Sequence, residues 1–168
     1  MVKELRDQSG AGIMECRSTL IETEGDMERA LRTLKEKGLA RAEKKAQRTT
    51  AEGLVEAYIH TGGRIGAMVE VNCETDFVAR TDEFKELVHR LAMQVTAMSP
   101  QFISVEETPE GSDIDPAAAC LLAQPYIKDP AKTVQDIITE TIARVGENIR
   151  VKRFVRFELG SQDRGNDD

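Results

Sequence analysis

Tryptophan is missing from this 168-residue chain, and other aromatic side chains are few: five phenylalanines and two tyrosines. A core must therefore come from aliphatic residues and methionine, and the placement of each phenylalanine is informative. Cysteine is sparse and scattered, at Cys16, Cys73 and Cys120 with no CxxC pair, and the only histidines are His60 and His89. A structural zinc site needs four clustered N or S ligands, so no metal site is expected. The odd cysteine count fits a reducing cytosol rather than a disulfide scaffold. No apolar run approaches the roughly 18 residues of a membrane span and no signal peptide is recognisable, which predicts a cytoplasmic chain with no membrane partner. "SGAG" and "TGGR" lack the spacing of a phosphate loop, and no cofactor is expected. Positive charge is also in deficit, with 23 Lys and Arg against 30 Asp and Glu and a net charge of −7. A general nucleic-acid or membrane-surface binder needs a basic face, so direct nucleic-acid binding is not expected.

About 40% of the residues are apolar, enough for one modest domain with a small module attached. Residues 1–38 read as three short helices forming a satellite module. "SGAG" (Ser9 to Gly12) breaks the first, "EGD" separates the second from the third, Asp26 is the N-cap of the third, and Gly38 stands where a C′ glycine would close it. Residues 39–52, "LARAEKKAQRTTA" and the residue after it, read as a basic linker, a solvated basic helix in preference to an RNA-binding arm.

From Gly53 the pattern changes. Two strand-like runs flank "TGGR", and in the second Ile65, Ala67, Val69 and Val71 alternate with Gly66, Met68, Glu70 and Asn72, which predicts a hairpin. Thr81 then caps the strongest helix, with Phe84, Leu87, Val88, Leu91, Ala92 and Val95 on one stripe and an end before Pro100. "EETPEGSDIDP" is a loop by composition, Ala117 to Ala123 has helical character, and "QPYIKDPAK" reads as irregular. Thr133 opens a last helix that Gly146 ends. A final strand over "NIRVKRFVRFELG" carries Ile149, Val151, Val155, Phe157 and Leu159 on one face, and Arg150, Lys152, Arg156 and Phe154 on a basic one. The tail, residues 161–168, is polar and expected to be disordered. The sum is an α+β fold: a three-helix N-terminal bundle, then over residues 53–160 a small antiparallel sheet packed with helices.

The segment "VNCETDFVAR" holds the most suggestive chemistry. Cys73, His60 and Asp76 could form a thiol triad only if the side chains met. The intervening strand would hold Cys73 and His60 roughly 25 Å or more apart at about 3.3 Å per residue, so Cys73 reads as packing and no catalytic residue is assigned. The basic strand with its aromatic is a weak nucleic-acid signal on an acidic protein. Thr75, Asp76 and Phe77 fall between strand and helix, a surface position. Phe77 either caps the core or projects as an anchor for a partner's pocket, and residue pattern alone does not decide.

"ELRDQSGAGIMECRSTL", "GDMERALRTLKEKGLA", "IGAMVEVNCETDFVAR" and "GENIRVKRFVRFELG" resemble, in this order, segments of the elongation factor Ts family. The resemblance spans nearly the whole chain before the tail. It implies a nucleotide-exchange factor for the GTPase elongation factor Tu, with no bond chemistry of its own, an N-terminal module similar to ubiquitin-associated domains and an α+β core. It also implies that the turn Thr75, Asp76, Phe77 and Val78 enters elongation factor Tu near its magnesium and phosphate site. There the phenylalanine would wedge between helices and disturb magnesium coordination. The module's Leu5, Ile13 and Met14 would pack on another helix of the same domain. Three departures stand out. The first helix is shorter than usual, Ile13 replaces a common Met, and "TPEGSDIDPAAA" replaces a helical insertion. The chain holds one core half where long forms hold two; short forms can dimerise instead, which admits a homodimer and a two-plus-two complex.

Overall fold

The computed structural model describes residues 1–161; the expected tail therefore lies, from residue 162 on, outside the described residues. Helices α1 (Val2–Ser9), α2 (Ile13–Glu22) and α3 (Met27–Lys45) form the N-terminal bundle around Leu5, Cys16, Leu20, Ala30 and Leu34. Asp26 caps α3 as expected, its carboxylate accepting from the Arg29 amide at 3.0 Å. Strands β1 (Glu52–Ile59) and β2 (Ile65–Cys73) make the predicted hairpin, in register from Glu52 opposite Cys73 to Ile59 opposite Gly66.

A single helical turn, α4 (Asp76–Ala79), leads into the long helix α5 (Asp82–Met98), where the Thr81 hydroxyl accepts from the Phe84 amide at 3.2 Å. The link that follows holds a 3₁₀ turn at Val105–Glu107 and the short helix α6 (Pro116–Ala119). "QPYIKDPAK", read as irregular, in fact forms a small antiparallel pair, β3 (Pro125–Tyr126) and β4 (Asp129–Thr133). Helix α7 (Val134–Val145) opens with a reciprocal capping box between Thr133 and Asp136 and closes at Gly146, at φ +79°. Strand β5 (Ile149–Glu158) completes a sheet of order β1-β2-β5.

The architecture is α+β: N-terminal helices, then an antiparallel sheet with α5 and α7 on one face. Val69, Val71 and Cys73 of the sheet meet Phe84, Val88, Leu91 and Val95 of α5 and Ile138 and Ile142 of α7 in one buried cluster. Aliphatic stripes at helical spacing on α5, set against the period-two face of β2, are what bring these layers together.

Two further expectations need correction. Gly38 does not end α3, which runs on to Lys45. Gly38 is buried where α3 crosses α7, and a Cβ there would lie 3.9 Å from that of Ala143. A mid-helix glycine costs about 1 kcal/mol in propensity, and the ordinary van der Waals spacing to Ala143 leaves room for a Cβ, so packing does not require glycine here. Ala42 also packs against the main core, so α3 serves both bundle and core. The stretch 39–52 is thus helical to Lys45 and extended from Glu52.

The second correction concerns β5. Glu70 pairs with Arg153 but Val71 pairs with Val151, leaving Lys152 as an extra residue in a β-bulge. The bulge exchanges the two faces. Ile149 and Val151 point to the core before it; after it Phe154 packs on the core, and the Arg156 guanidinium Nε donates to the Thr96 carbonyl at 3.0 Å. Val155, Phe157 and Leu159, expected on the same face as Ile149 and Val151, are exposed. There is accordingly no continuous basic face.

Candidate partner-binding site

Strand β2 delivers the chain to a turn built by Thr75. Thr75 is extended, and its hydroxyl accepts from the Val78 amide at 3.4 Å, capping α4. Consecutive residues of a helix are rotated by about 100°, so neighbours here face different surroundings. Phe77 is 79% exposed, whereas Val78, at 8%, sits in the main core. Asp76 pairs with Arg80 at 2.8 Å on the surface. Exposure removes the core-cap alternative for Phe77: a scarce aromatic stands in solvent on a turn whose next residue is anchored.

The turn is held from beneath by Glu147, which follows the glycine that closes α7. One Glu147 carboxylate oxygen accepts from the amides of Glu74 and Thr75 at 3.1 and 3.0 Å, and the other accepts the Thr75 hydroxyl proton at 2.6 Å. In return the Glu74 carboxylate accepts from the Asn148 amide at 2.7 Å. The Asn148 side-chain amide donates to the carbonyls of Arg48 and Ala46 at 2.9 and 3.4 Å, tying the brace to the chain leaving α3. Sequence reading singled out none of Glu74, Glu147 and Asn148 as site residues. The available signal was a Glu-Asn pair directly after a helix-closing glycine.

Cys73 is fully buried, and its thiol donates to the Thr75 carbonyl at 3.2 Å. Burial, and then the charge of Glu147, push the thiol up to about 11, so it is protonated at neutral pH and is no nucleophile. His60 lies at the opposite end of the β1–β2 hairpin with its ring 3.2 Å from the Tyr58 hydroxyl. Cys73, His60 and Asp76 are not brought together. Among the described residues, no group of three or more His, Cys, Asp or Glu is placed to hold a metal ion, and no helix is long and apolar enough to cross a membrane.

In the bundle, Ile13 and Met14 open α2 and are 56% and 69% exposed, while Leu5 is fully buried in the bundle core. The bundle is fastened to the core by Lys35 and Asp136 at 3.3 Å and by Gly10 against Arg144. Gly10 has φ +68°, and a Cβ there would overlap the Arg144 guanidinium. The positive φ is what favours glycine here; the overlapping atoms end a flexible arginine side chain that can shift.

The fold and the turn define a class: an α+β protein presenting one apolar side chain on a braced turn, with no assembled nucleophile and base beside it. The profile of the family described as Elongation factor TS matches residues 21–112. The chain is 52% identical over 190 aligned residues to elongation factor Ts of Heliobacterium modesticaldum, spanning 95% of this chain and 88% of that one. It is 51% identical to elongation factor Ts of a Thermoanaerobacter species, spanning 95% and 93%, and 49% identical to that of Coprothermobacter proteolyticus, spanning 95% and 96%. This chain belongs to the elongation factor Ts family.

Proposed function

We propose that this chain is a guanine-nucleotide exchange factor for elongation factor Tu, acting in the cytoplasm during translation elongation. The observation that carries the reading is Phe77, exposed on a turn fixed by Thr75, Glu147 and the buried Val78, within a chain of this family. Phe77 enters the GTPase near its magnesium and phosphate site. Thr75 and Val78 fix the turn, and Asp76 lies beside it. Ile13 and Met14 make a second contact; Leu5, expected to share it, is fully buried in the bundle core and has no surface to offer a partner. Binding of the factor and of nucleotide favour opposed conformations of the GTPase, so each weakens the other by the same factor, typically about 5–150-fold. No bond chemistry is needed. The test is release of a fluorescent GDP analogue from elongation factor Tu; no acceleration by this protein overturns the proposal.

The alternative is an interaction module without exchange activity. Because α3 is shared between bundle and core, charge substitutions separate the readings better than truncation. Met14→Glu should weaken exchange without abolishing it if the Phe77 turn carries the activity, whereas GDP release that stays at the uncatalysed rate with the unsubstituted protein favours the module.

A homodimer also has support. The sheet face opposite α5 and α7 exposes Val55, Ile59, Met68, Val155 and Phe157 across all three strands. A one-sided sheet of this kind ordinarily turns polar residues to water. The one charged pair on it, Glu70 with Arg153 at 2.7 Å, is already satisfied within the chain. A second copy related by a two-fold axis presents the same apolar face in return.

A further inference from the structure

Helix α4 is a single turn, too short to hold its own conformation in water. Something else must keep Phe77 pointing outward. Val78 anchors the turn from one side; on the other, the only charged group bonded to its backbone among the described residues is Glu147, some seventy positions further along the chain. We propose that Glu147 is the positioning residue of the exchange site: its carboxylate holds the Thr75–Val78 turn in the conformation that presents Phe77. This rests on the Phe77 reading above.

The proton inventory supports the assignment. The Thr75 hydroxyl has one proton, and it is given to Glu147 at 2.6 Å. The Thr75 oxygen is thereby left to accept from the Val78 amide at 3.4 Å, which caps α4. Glu147 thus sets the direction of the capping bond as well as occupying the Glu74 and Thr75 amides. Bonds from neutral donors to a carboxylate are about twice as strong as neutral pairs. The cross-bond from the Asn148 amide to Glu74 at 2.7 Å locks the same two segments from the opposite direction. Without Glu147, two backbone amides and one hydroxyl lose their acceptor together, and the competent turn becomes one conformer among several. A factor whose competent form is only partly populated binds its partner more weakly by that fraction, but works at the same rate once bound.

The test uses the full chain with elongation factor Tu and a fluorescent GDP analogue, titrating the factor. Glu147→Ala should raise the concentration giving half-maximal acceleration about ten-fold and leave the maximal rate within about two-fold. Glu147→Gln, which keeps the size but lacks one acceptor, should fall between. Phe77→Ala should instead lower the maximal rate, and adding Glu147→Ala to it should cost nothing more. Amide hydrogen exchange should show protection at Glu74 and Thr75 lost in Glu147→Ala, with the core amides of β2 and α5 unchanged. Wild-type titration behaviour in Glu147→Ala, or an equal further loss in the Phe77→Ala background, overturns the proposal. If Phe77→Ala is silent, the wedge reading fails, and amide protection at the turn then decides whether Glu147 braces it.

Discussion

Phe77 and Val78 are adjacent in the chain and occupy opposite environments, Phe77 in solvent and Val78 in the main core. Their substitutions should therefore separate function from stability. Phe77→Ala should slow GDP release at least about 30-fold, the size of an anchor worth ~2 kcal/mol, and leave the thermal midpoint nearly unchanged. Val78→Ala should cost about 2 kcal/mol of stability through lost burial and a residual cavity. A Phe77→Ala protein that unfolds early, with exchange per folded molecule intact, would show that the side chain is structural.

The Cys73 thiol, raised to about 11 chiefly by burial, should resist iodoacetamide at about neutral pH in the folded protein and react once the chain is unfolded. Cys73→Ala should retain full exchange activity. Loss of exchange on labelling folded protein, in step with modification of Cys73, would restore a role for the thiol.

Asp136 joins the cap of α7 to the bundle. Burial pushes its pKa up, but hydrogen bonds from the Thr133 amide and hydroxyl, at 3.0 and 3.1 Å, together with Lys35, outweigh this and hold it below the usual carboxylate range. A carboxyl with a lowered folded pKa binds its proton more readily when unfolded. Its contribution is complete above the unfolded value of about 4 and lost as pH falls through the folded one. Urea midpoints of Asp136→Asn should lie below wild type at about pH 6 and close on it as pH falls below about 4. A difference that stays constant over that range contradicts the assignment.

The open sheet face predicts self-association. Phe157→Lys places a charge on the exposed apolar face opposite α5 and α7. Light scattering should give a dimer mass for the unsubstituted chain and a monomer mass for the variant, with the fold retained by circular dichroism. A monomer in both cases removes the homodimer.

Much of this architecture is legible in the residues. Thr81 with the stripe from Phe84 to Val95 predicts α5, "TGGR" between alternating runs predicts the hairpin, and Thr133 and Gly146 mark the ends of α7. These are local signals, in which caps, glycines and periodicity act within a few residues. The misreadings of Gly38 and β5 share one cause. Gly38 looks like a helix end because its partner, Ala143, is more than a hundred positions away in the chain. The pattern of β5 looks apolar on one face and basic on the other because a bulge is a mismatch between two strands and cannot be seen in one.

The sequence by itself determined the main helices and strands and their order, the α+β class and the location of Thr75 to Val78 between strand and helix, because capping and hydrophobic period are short-range properties. It also carries the segments by which the chain is placed in the elongation factor Ts family. Only the tertiary structure decided that Phe77 faces outward and Val78 inward, that the face bearing Phe157 is open, and that Glu147 lies under Thr75. Each depends on which distant backbone comes to lie within about 3 Å of which side chain, and burial and hydrogen bonding at that range exist only once the layers have packed.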